Sequence, residues 1–322
     1  MSISHYIKEI GRGKEGARAL PREQAADLMG QVLDGGLTDL EVGAFCLAMR
    51  IKGETPTEMA GFLDATQARL QQFINNSARP AVVIPSYNGA RKLPLLTPLL
   101  ALLLAREGLA VLVHGAATEA RRVDVAAVLA ALDIPAYAAA PGTPQRALTA
   151  GTLTFAPTGL LCPGLQRLLE VRRVVGLRNP GHSVVKLMQP VRGRNLLVSS
   201  YTHPEYAISM AATIALTQQD ALLLRGTEGE AVADARRLHR VDGFVAGQRV
   251  LQHEPQPGSL VHLPELPKEM DAQSTAAYIR RVLAGRSPVP APITQQVEHI
   301  LLVLKQMGAA AVRTATALEA TA

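Results

Sequence analysis

The chain contains few aromatic residues and few cysteines. Its 322 residues include no Trp, 6 Tyr and 5 Phe, which argues against a protein that stacks bases or sugars on aromatic side chains. The two cysteines, Cys46 and Cys162, cannot hold together a chain of this size and show no metal-ligand spacing. We therefore expect a reduced, cytoplasmic setting.

Long apolar runs are also missing. Residues 1–13 contain no apolar segment of the kind that a secretory signal needs. The longest apolar stretch, residues 93–105, is interrupted by Pro94 and Pro98, and it is shorter than the roughly 20 residues of a membrane-spanning helix. We expect a buried helix in this stretch and no membrane partner for the chain.

Acidic residues are absent from one long segment, residues 171–204. The whole chain has 33 Lys and Arg against 27 Asp and Glu, which gives a formal net charge of +6. Residues 160–200 contain one acid, Glu170, and so many cations that this stretch carries the entire excess. The cations are Arg167, Arg172, Arg173, Arg178, Lys186, Arg192 and Arg194. Such a segment indicates a polyanionic ligand: phosphate, pyrophosphate or a nucleic-acid backbone.

The basic segment has a plainer interpretation as a solvated face of the protein. Arg172 argues against it, because this residue continues the apolar stripe of Leu165 and Leu168 on a predicted helix. A cation at a core position usually has a specific partner. That partner is either an anionic ligand or a carboxylate elsewhere in the fold.

The pattern of apolar residues divides the chain into two parts. Residues 1–75 read as helices, with capping boxes that start at Thr38 and Thr55. From residue 80 onward, short apolar strands alternate with helices, which is typical of a parallel sheet covered on both faces. We predict a small N-terminal all-helical domain over residues 1–75, joined by part of 160–195. A larger α/β domain with a mostly parallel central sheet follows over residues 80–322.

Four short motifs follow one another along the second part of the chain. They are Val113-His114-Gly115, the segment Leu153-Thr154-Phe155-Ala156-Pro157, the pair Arg172-Arg173 with Gly176 and Arg178, and Asn179-Pro180. In their order and spacing these motifs resemble the anthranilate phosphoribosyltransferase and pyrimidine nucleoside phosphorylase fold. The resemblance covers nearly the whole chain and implies a substrate pocket at the carboxyl ends of the strands.

The pocket implied by the resemblance departs from the enzymes at its phosphate-binding loop. The enzymes have Gly-Thr-Gly-Gly-Asp there, and the amides of that loop cradle pyrophosphate. This chain has one glycine in residues 86–91, so close approach of the backbone to a phosphate is restricted. We refer to the residues at these positions as the ancestral pocket. They are Ser86, Tyr87, Asn88, Gly89, His114 and Gly115.

A second departure concerns magnesium. Ala231 and Val232 stand where the enzymes have a magnesium-binding Asp-Glu pair, and Val113 replaces a Lys of the sugar-phosphate pocket. Glu228 and Glu230 either substitute for the pair or are solvated loop acids. Magnesium beside substrate phosphates needs carboxylates, so we expect no metal site and no cofactor, and magnesium itself is doubtful.

These substitutions together resemble the YbiB-type branch of the fold. That resemblance implies a homodimeric protein that binds nucleic acid and lacks the ancestral enzyme activity. Dimers of this fold use the helical domain, so Phe45 and Met49 either face a partner or pack in the core of the monomer.

Two functions from different classes follow. The first is sequence-independent, non-enzymatic binding of single-stranded DNA, RNA or double-stranded DNA in the cleft between the domains. Because aromatic residues are scarce, phosphate contacts rather than base readout are expected. The expected phosphate contacts are Arg91, Lys92, Arg172, Arg173, Arg178, Lys186, Arg192 and Arg194. No residue is assigned a catalytic role.

The alternative is an enzyme, a phosphoribosyltransferase or nucleoside phosphorylase with an altered acceptor. In this case His114 and Arg178 would orient a substrate. The missing carboxylates weigh directly against this chemistry, whereas the basic cluster suits either function.

Overall fold

The structure is a computed structural model of the chain. It describes residues 2–13, 15–117, 119, 121–138, 146–237, 239–255, 257–258 and 260–319, the last nine by backbone alone. The helices are α1 (Ser4–Ile10), α2 (Arg22–Asp34), α3 (Asp39–Lys52), α4 (Pro56–Gln67), α5 (Thr97–Arg106), α6 (Val125–Ala131), α7 (Thr158–Leu161), α8 (Pro163–Val175), α9 (Gly181–Leu187), α10 (Pro204–Leu216), α11 (Ala272–Leu283) and α12 (Ala291–Glu319). None of the described helices is both long and apolar enough to cross a membrane.

The strands form one large sheet and one small sheet. They are β1 (Phe73–Ile74), β2 (Ala81–Pro85), β3 (Val111–Gly115), β4 (Leu153–Pro157), β5 (Val191–Arg192), β6 (Asn195–Tyr201), β7 (Ala221–Arg225), β8 (Val241–Val245) and β9 (Gln248–His253). The order in the large sheet is β4-β3-β2-β6-β7-β8-β9. Its first five strands are parallel, and β8 and β9 close one edge as an antiparallel hairpin. Strand β1 pairs with β5.

The N-terminal helices are built from strong local signals. Thr38 and Thr55 each cap a helix, and in both cases the carboxylate of the Glu three residues later accepts a hydrogen bond from the backbone amide of the cap residue. Helix α2 packs on α4, and helices α8 and α9 return from the second part of the chain to pack on α2 and α4. The part of the basic segment that forms α8 and α9 is therefore attached to the helical part of the molecule.

The large sheet is buried on both faces. In β2, Ala81 and Val83 belong to a core shared with the N-terminal helices, whereas Val82 and Ile84 belong to a core shared with α5, α11 and α12. This alternation explains why the strand is apolar throughout. The loops that follow β2, β3, β4 and β7 lie at the carboxyl edge of the sheet, which is where ligands of such sheets bind.

Close packing of α8 on α2 depends on Gly164. A Cβ atom at this position would overlap the carbonyl oxygen of Leu33. We predict that Gly164→Ala forces α8 away from α2 and lowers the free energy of unfolding by about 1–3 kcal/mol. Urea denaturation measures the effect.

The control for this substitution is Gly159→Ala, because a Cβ at Gly159 has its nearest neighbour at 3.5 Å, an ordinary contact. Equal stability of the two variants would contradict the packing argument.

Candidate functional site

A cleft of about 580 Å³ lies between the N-terminal helices and the carboxyl edge of the sheet. Its wall contains more cations than carboxylates. The cations are Arg50, Arg91, Lys92, Arg122, Arg178 and Lys186, and the carboxylates are Glu54 and Glu228. An excess of positive charge in a concave site attracts anions and raises their local concentration.

The loop after β2 is held by the buried carboxylate of Glu230, which is 1% exposed. The amides of Asn88 and Gly89 donate to its Oε1 at 2.9 and 2.8 Å. Its Oε2 accepts hydrogen bonds from the hydroxyl of Ser86 and, at 3.1 Å, from the hydroxyl of Thr97. Gly89 has a φ of +66°, a backbone conformation that glycine adopts without strain.

Glu228 holds the next part of the same loop. Its Oε1 accepts the amides of Arg91, Lys92 and Leu93 at 3.2, 2.7 and 3.1 Å. Its Oε2 lies 3.3 Å from Nη1 of Arg122. The side chain is 14% exposed. The interpretation of Glu228 and Glu230 as solvated loop acids is therefore wrong, because amides of the neighbouring loop bind both carboxylates.

These contacts decide whether the two glutamates fit a metal. Both carboxylates are engaged by N–H or O–H donors, which repel a cation rather than share it. Among the described residues, no group of three or more His, Cys, Asp or Glu side chains could hold a metal ion. The donors around Glu228 and Glu230 therefore do not fit the magnesium ion of the resembled enzymes.

A second carboxylate cluster lies at the side of the cleft, around Glu119. Its Oε1 is 2.7 Å from Nη1 of Arg172 and 3.5 Å from Nη2 of Arg178. Its Oε2 is 3.2 Å from Nε of Arg122. Burial acts to raise the pKa of Glu119, but the three guanidinium groups together hold it below its ordinary value. Of the two partners predicted for Arg172, the structure contains the carboxylate.

Burial changes the titration of two cations of the cleft. Burial first, and then repulsion by Arg178, lowers the pKa of Lys186 to about 8. Its Nζ donates to the carbonyl oxygens of Ser200 and Gly229 at 3.1 and 3.2 Å. Burial and the neighbouring Arg172 also lower the pKa of Arg178. A nearby anion would raise the pKa of both groups again, because an opposite charge favours their charged forms.

The structure brings only some of the predicted phosphate contacts together. Arg91, Lys92, Arg178 and Lys186 line the cleft, whereas Arg172 lies beside it at Glu119. Three of the predicted contacts are elsewhere. Arg173 is exposed and donates to the carbonyl oxygen of Ala117 at 3.4 Å, and Arg192 and Arg194 precede β6 at the amino end of the sheet.

The topology thus contradicts the prediction that Arg192 and Arg194 contact phosphates in the cleft. The amide of Ala81 at the start of β2 donates to the carbonyl oxygen of Arg194 at 3.0 Å. A strand separates this end of the sheet from the cleft, so neither side chain belongs to the same site as Lys186.

The ancestral pocket residues are placed as structural groups. Ser86, Asn88 and Gly89 bind Glu230 through the contacts described above, and Tyr87 is 4% exposed. Gly115 ends β3 so close to the carbonyl oxygen of Ser86 that a Cβ would overlap it.

His114 is 0% exposed, and burial lowers its pKa to about 3. It does not line the cleft. The expectation that His114 orients a substrate there is therefore wrong. Phe45 and Met49 are both 0% exposed, so of their two predicted roles the structure shows core packing.

Two cations of the cleft escaped the sequence analysis. Arg50 lies in the last turn of α3 and Arg122 follows β3. Both are outside the acid-free segment, so a search by local charge could not find them. The position of residue 122 after a predicted strand was the one available signal.

Comparison with known proteins gives the following relatives. The helical bundle domain of the glycosyl transferase family matches residues 4–69. The chain is 39% identical over 305 residues to the uncharacterized protein YbiB of Escherichia coli strain K12, and the match covers 94% of both chains. It is 24% identical over 306 residues to the anthranilate phosphoribosyltransferase of Methanopyrus kandleri, covering 90% of this chain and 85% of that protein.

Solved structures agree in fold. Anthranilate phosphoribosyltransferase from Thermus thermophilus has a TM-score of 0.65 at 21% identity, over 94% of this chain and 98% of that chain. The Saccharomyces cerevisiae enzyme in complex with PRPP and Mg has a TM-score of 0.67 at 14% identity, over 94% and 88%. The predicted fold class, a small helical bundle plus a larger α/β domain with a mostly parallel sheet, is confirmed.

Glu230 is expected to be a major source of stability. In Glu230→Ala the amides of Asn88 and Gly89 and the hydroxyl of Thr97 lose their acceptor in a buried place, where each unsatisfied group costs about 1–3 kcal/mol. We predict a loss of about 3 kcal/mol or more in the free energy of unfolding, measured by urea denaturation.

The matched control is Glu170→Ala, since Glu170 is an exposed acid on α8 and its removal should cost less than about 1 kcal/mol. Similar losses in the two variants would contradict the role assigned to Glu230.

Proposed function

The chain belongs to the family of the Escherichia coli protein YbiB, and we propose that it binds nucleic acids through their phosphates in the cleft, without sequence preference and without phosphoribosyl transfer. One observation carries the proposal: carboxylates of the chain itself occupy the amides of the phosphate-binding loop. Glu228 and Glu230 together accept five backbone N–H groups. A pyrophosphate would have to displace both of them.

The cations that face the cleft support the proposal that it binds a polyanion from solution. Arg50, Arg91 and Lys92 are exposed, and none of them forms an ion pair with another residue in the described part of the chain. Arg side chains bind phosphate oxygens through paired N–H donors. A nucleic-acid backbone supplies several phosphates in a row and so engages such dispersed cations together.

The arginines around Glu119 can also bind phosphate, but Glu119 competes with it for their guanidinium groups. Arg122, Arg172 and Arg178 already share one carboxylate. A phosphate at the edge of the cleft exchanges with Glu119 for the same guanidinium groups. The carboxylate of Glu119 thereby lowers the affinity of the cleft for phosphate. A single small anion displaces this carboxylate less easily than a polyanion does.

Glycosyl transfer is the second candidate, and it is the function that the comparisons with known proteins favour. Anthranilate phosphoribosyltransferases share both the fold and detectable sequence similarity with this chain. Against it stands the internally occupied loop, in which N–H and O–H donors already engage the carboxylates of Glu228 and Glu230. The residues of the site therefore decide our preference, and one experiment separates the two functions.

The experiment is a fluorescence-anisotropy titration of labelled single-stranded DNA between about 50 and 200 mM salt. If about six phosphates are neutralised, the logarithm of the affinity should fall with the logarithm of the salt concentration at a slope of about −4. Arg91→Ala with Lys92→Ala should reduce that slope. A competing mixture of phosphoribosyl pyrophosphate and magnesium should leave the binding nearly unchanged.

The control variant is Arg106→Ala, which removes an exposed cation on α5, on the opposite face of the sheet. Salt-insensitive binding, or magnesium-dependent binding of phosphoribosyl pyrophosphate that displaces DNA, would overturn the proposal. The second of these results would favour glycosyl transfer.

A homodimer is part of the proposal. Leu40, Leu47 and Ile51 are 83%, 46% and 61% exposed and follow a helical spacing on α3. A second copy of the chain covers such a stripe symmetrically, as an isologous interface does. The apolar residues that support dimerisation are thus neighbours in sequence of Phe45 and Met49, on the opposite side of the helix.

We predict that Leu47→Asp with Ile51→Asp shifts the sedimenting mass from two chains to one, because two charges would be buried at the interface. Val261→Asp is the control, as Val261 is 93% exposed but lies outside the helical domain. An unchanged mass in the double variant would remove α3 from the interface.

A further inference from the structure

The floor of the cleft carries hydrogen-bond donors that the fold leaves unused. We define this floor as Arg178, Ser183 and Lys186, which all line the cleft. Arg178 lies in the turn between α8 and α9, and the other two lie on α9. Because residues three apart are neighbours on a helix surface, Ser183 and Lys186 share one side of α9.

A count of donors shows what the floor has left to offer. The ammonium group of Lys186 has three N–H donors, and the carbonyl oxygens of Ser200 and Gly229 accept two of them. The guanidinium group of Arg178 has five N–H donors, and its ion pair with Glu119 is long, at 3.5 Å. The hydroxyl of Ser183 has no hydrogen-bond partner among the described residues. The free donors suit an oxyanion.

His182 gives an independent sign of a ligand at this place. It lines the cleft next to Ser183 and is 7% exposed. Its Nε2 is buried and has no hydrogen-bond partner in the part of the chain that the structure describes. A buried polar atom of this kind destabilises the fold unless a water or a ligand supplies its partner. The surroundings of the floor are therefore incomplete without a polar group.

The carboxylates around the floor leave its free donors unoccupied. Glu228 lines the cleft, but the amides of the loop after β2 hold it. Burial raises the pKa of Glu54, so this carboxylate of the cleft loses its charge more readily than an exposed one. Glu230 favours the charged form of Lys186, but N–H and O–H donors of the protein engage both of its oxygens.

The shape of the cleft distinguishes its floor from its mouth. Arg50, Arg91 and Lys92 at the mouth are exposed, whereas Arg178 and Lys186 are partly buried. The cleft volume of about 580 Å³ lies in the range of small-ligand pockets. A phosphodiester within a strand brings the chain into the floor and out again, whereas a terminal phosphate enters from one side. The floor therefore fits the end of a strand better than its middle.

We propose that Arg178, Ser183 and Lys186 bind the terminal phosphate of a nucleic-acid strand whose internal phosphates lie on the cations of the mouth. This inference rests on the proposed function of the cleft and names the part of the polyanion that reaches its floor. A terminal phosphate offers three oxygens that carry no further ester, which match the three donor side chains.

The mouth makes this site effective for strands and weak for free phosphates. A strand held at Arg91 and Lys92 delivers its end to the floor at a high effective concentration. A free phosphorylated compound loses its translational freedom on binding and gains no contact at the mouth. Weak competition by phosphoribosyl pyrophosphate is thus consistent with a phosphate site at the floor.

The test compares oligodeoxythymidylates of about 24 nucleotides that carry an internal fluorophore and differ only in their ends. The four forms have two hydroxyl ends, a 5′-phosphate, a 3′-phosphate, or a closed circle without ends. We expect one of the two phosphorylated strands to bind about tenfold more tightly than the strand with hydroxyl ends, because hydrogen bonds to charged groups are strong.

The floor variant is Ser183→Ala with Lys186→Met, and it should lower this ratio of affinities from about ten to about one. Ser183→Ala alone should lower the ratio in part. The matched control is Arg91→Ala with Lys92→Ala, which should weaken the binding of both strands and leave their ratio unchanged. Partial unfolding of a variant reduces the active fraction equally for both strands, so it does not alter the ratio.

The outcomes separate this inference from the proposed function. If the wild type binds all four forms alike, the floor takes no terminal phosphate, and the proposed function of the cleft stands. If the circle binds as tightly as the better phosphorylated strand, the floor takes an internal phosphodiester and the inference is wrong. Loss of the ratio in the control variant but not in the floor variant would place the terminal phosphate at the mouth and overturn it as well. If no form binds the wild type at low salt, both proposals are wrong.

Discussion

The carboxylate of Glu230 is the contact on which the carboxyl edge of the sheet depends. It joins the loop after β2 to the loop after β7, although the two loops are 142 residues apart at Asn88. A buried carboxylate is tolerated only when hydrogen bonds satisfy it, and here backbone amides and two hydroxyl groups do so. Burial still raises the pKa of Glu230, so the loop geometry and the charge state of this residue are coupled.

The distribution of carboxylates then determines which cations remain open to solvent. Glu119 and Glu228 engage the cations at the side of the cleft, chiefly Arg122 and Arg172. The cations at its mouth, Arg91 among them, have no such partner in the described structure. Paired arginines fix the shape of the cleft, and the unpaired cations leave its mouth positively charged. The same residue type thus has two different tasks within a small volume.

The sequence predicts what depends on local patterns and misses what depends on distant ones. The helix caps at Thr38 and Thr55 and the alternation of strands and helices follow from neighbouring residues, so the fold class was accessible. The pairing of Glu119 with Arg172 joins residues 53 positions apart, and no local pattern encodes it. Counting charges along the chain also grouped Arg194 with Lys186, because it ignores the strand that carries the chain across the sheet.

A carboxylate of the chain itself differs from a ligand in solution in its effective concentration at the site it occupies. Glu228 and Glu230 belong to the same folded chain as the loop they occupy, so their local concentration is set by the fold and not by the supply of a metabolite. They also bind without losing the translational freedom that a free phosphate gives up. A loop whose amides are filled in this way needs no free phosphate from solution to hold its shape.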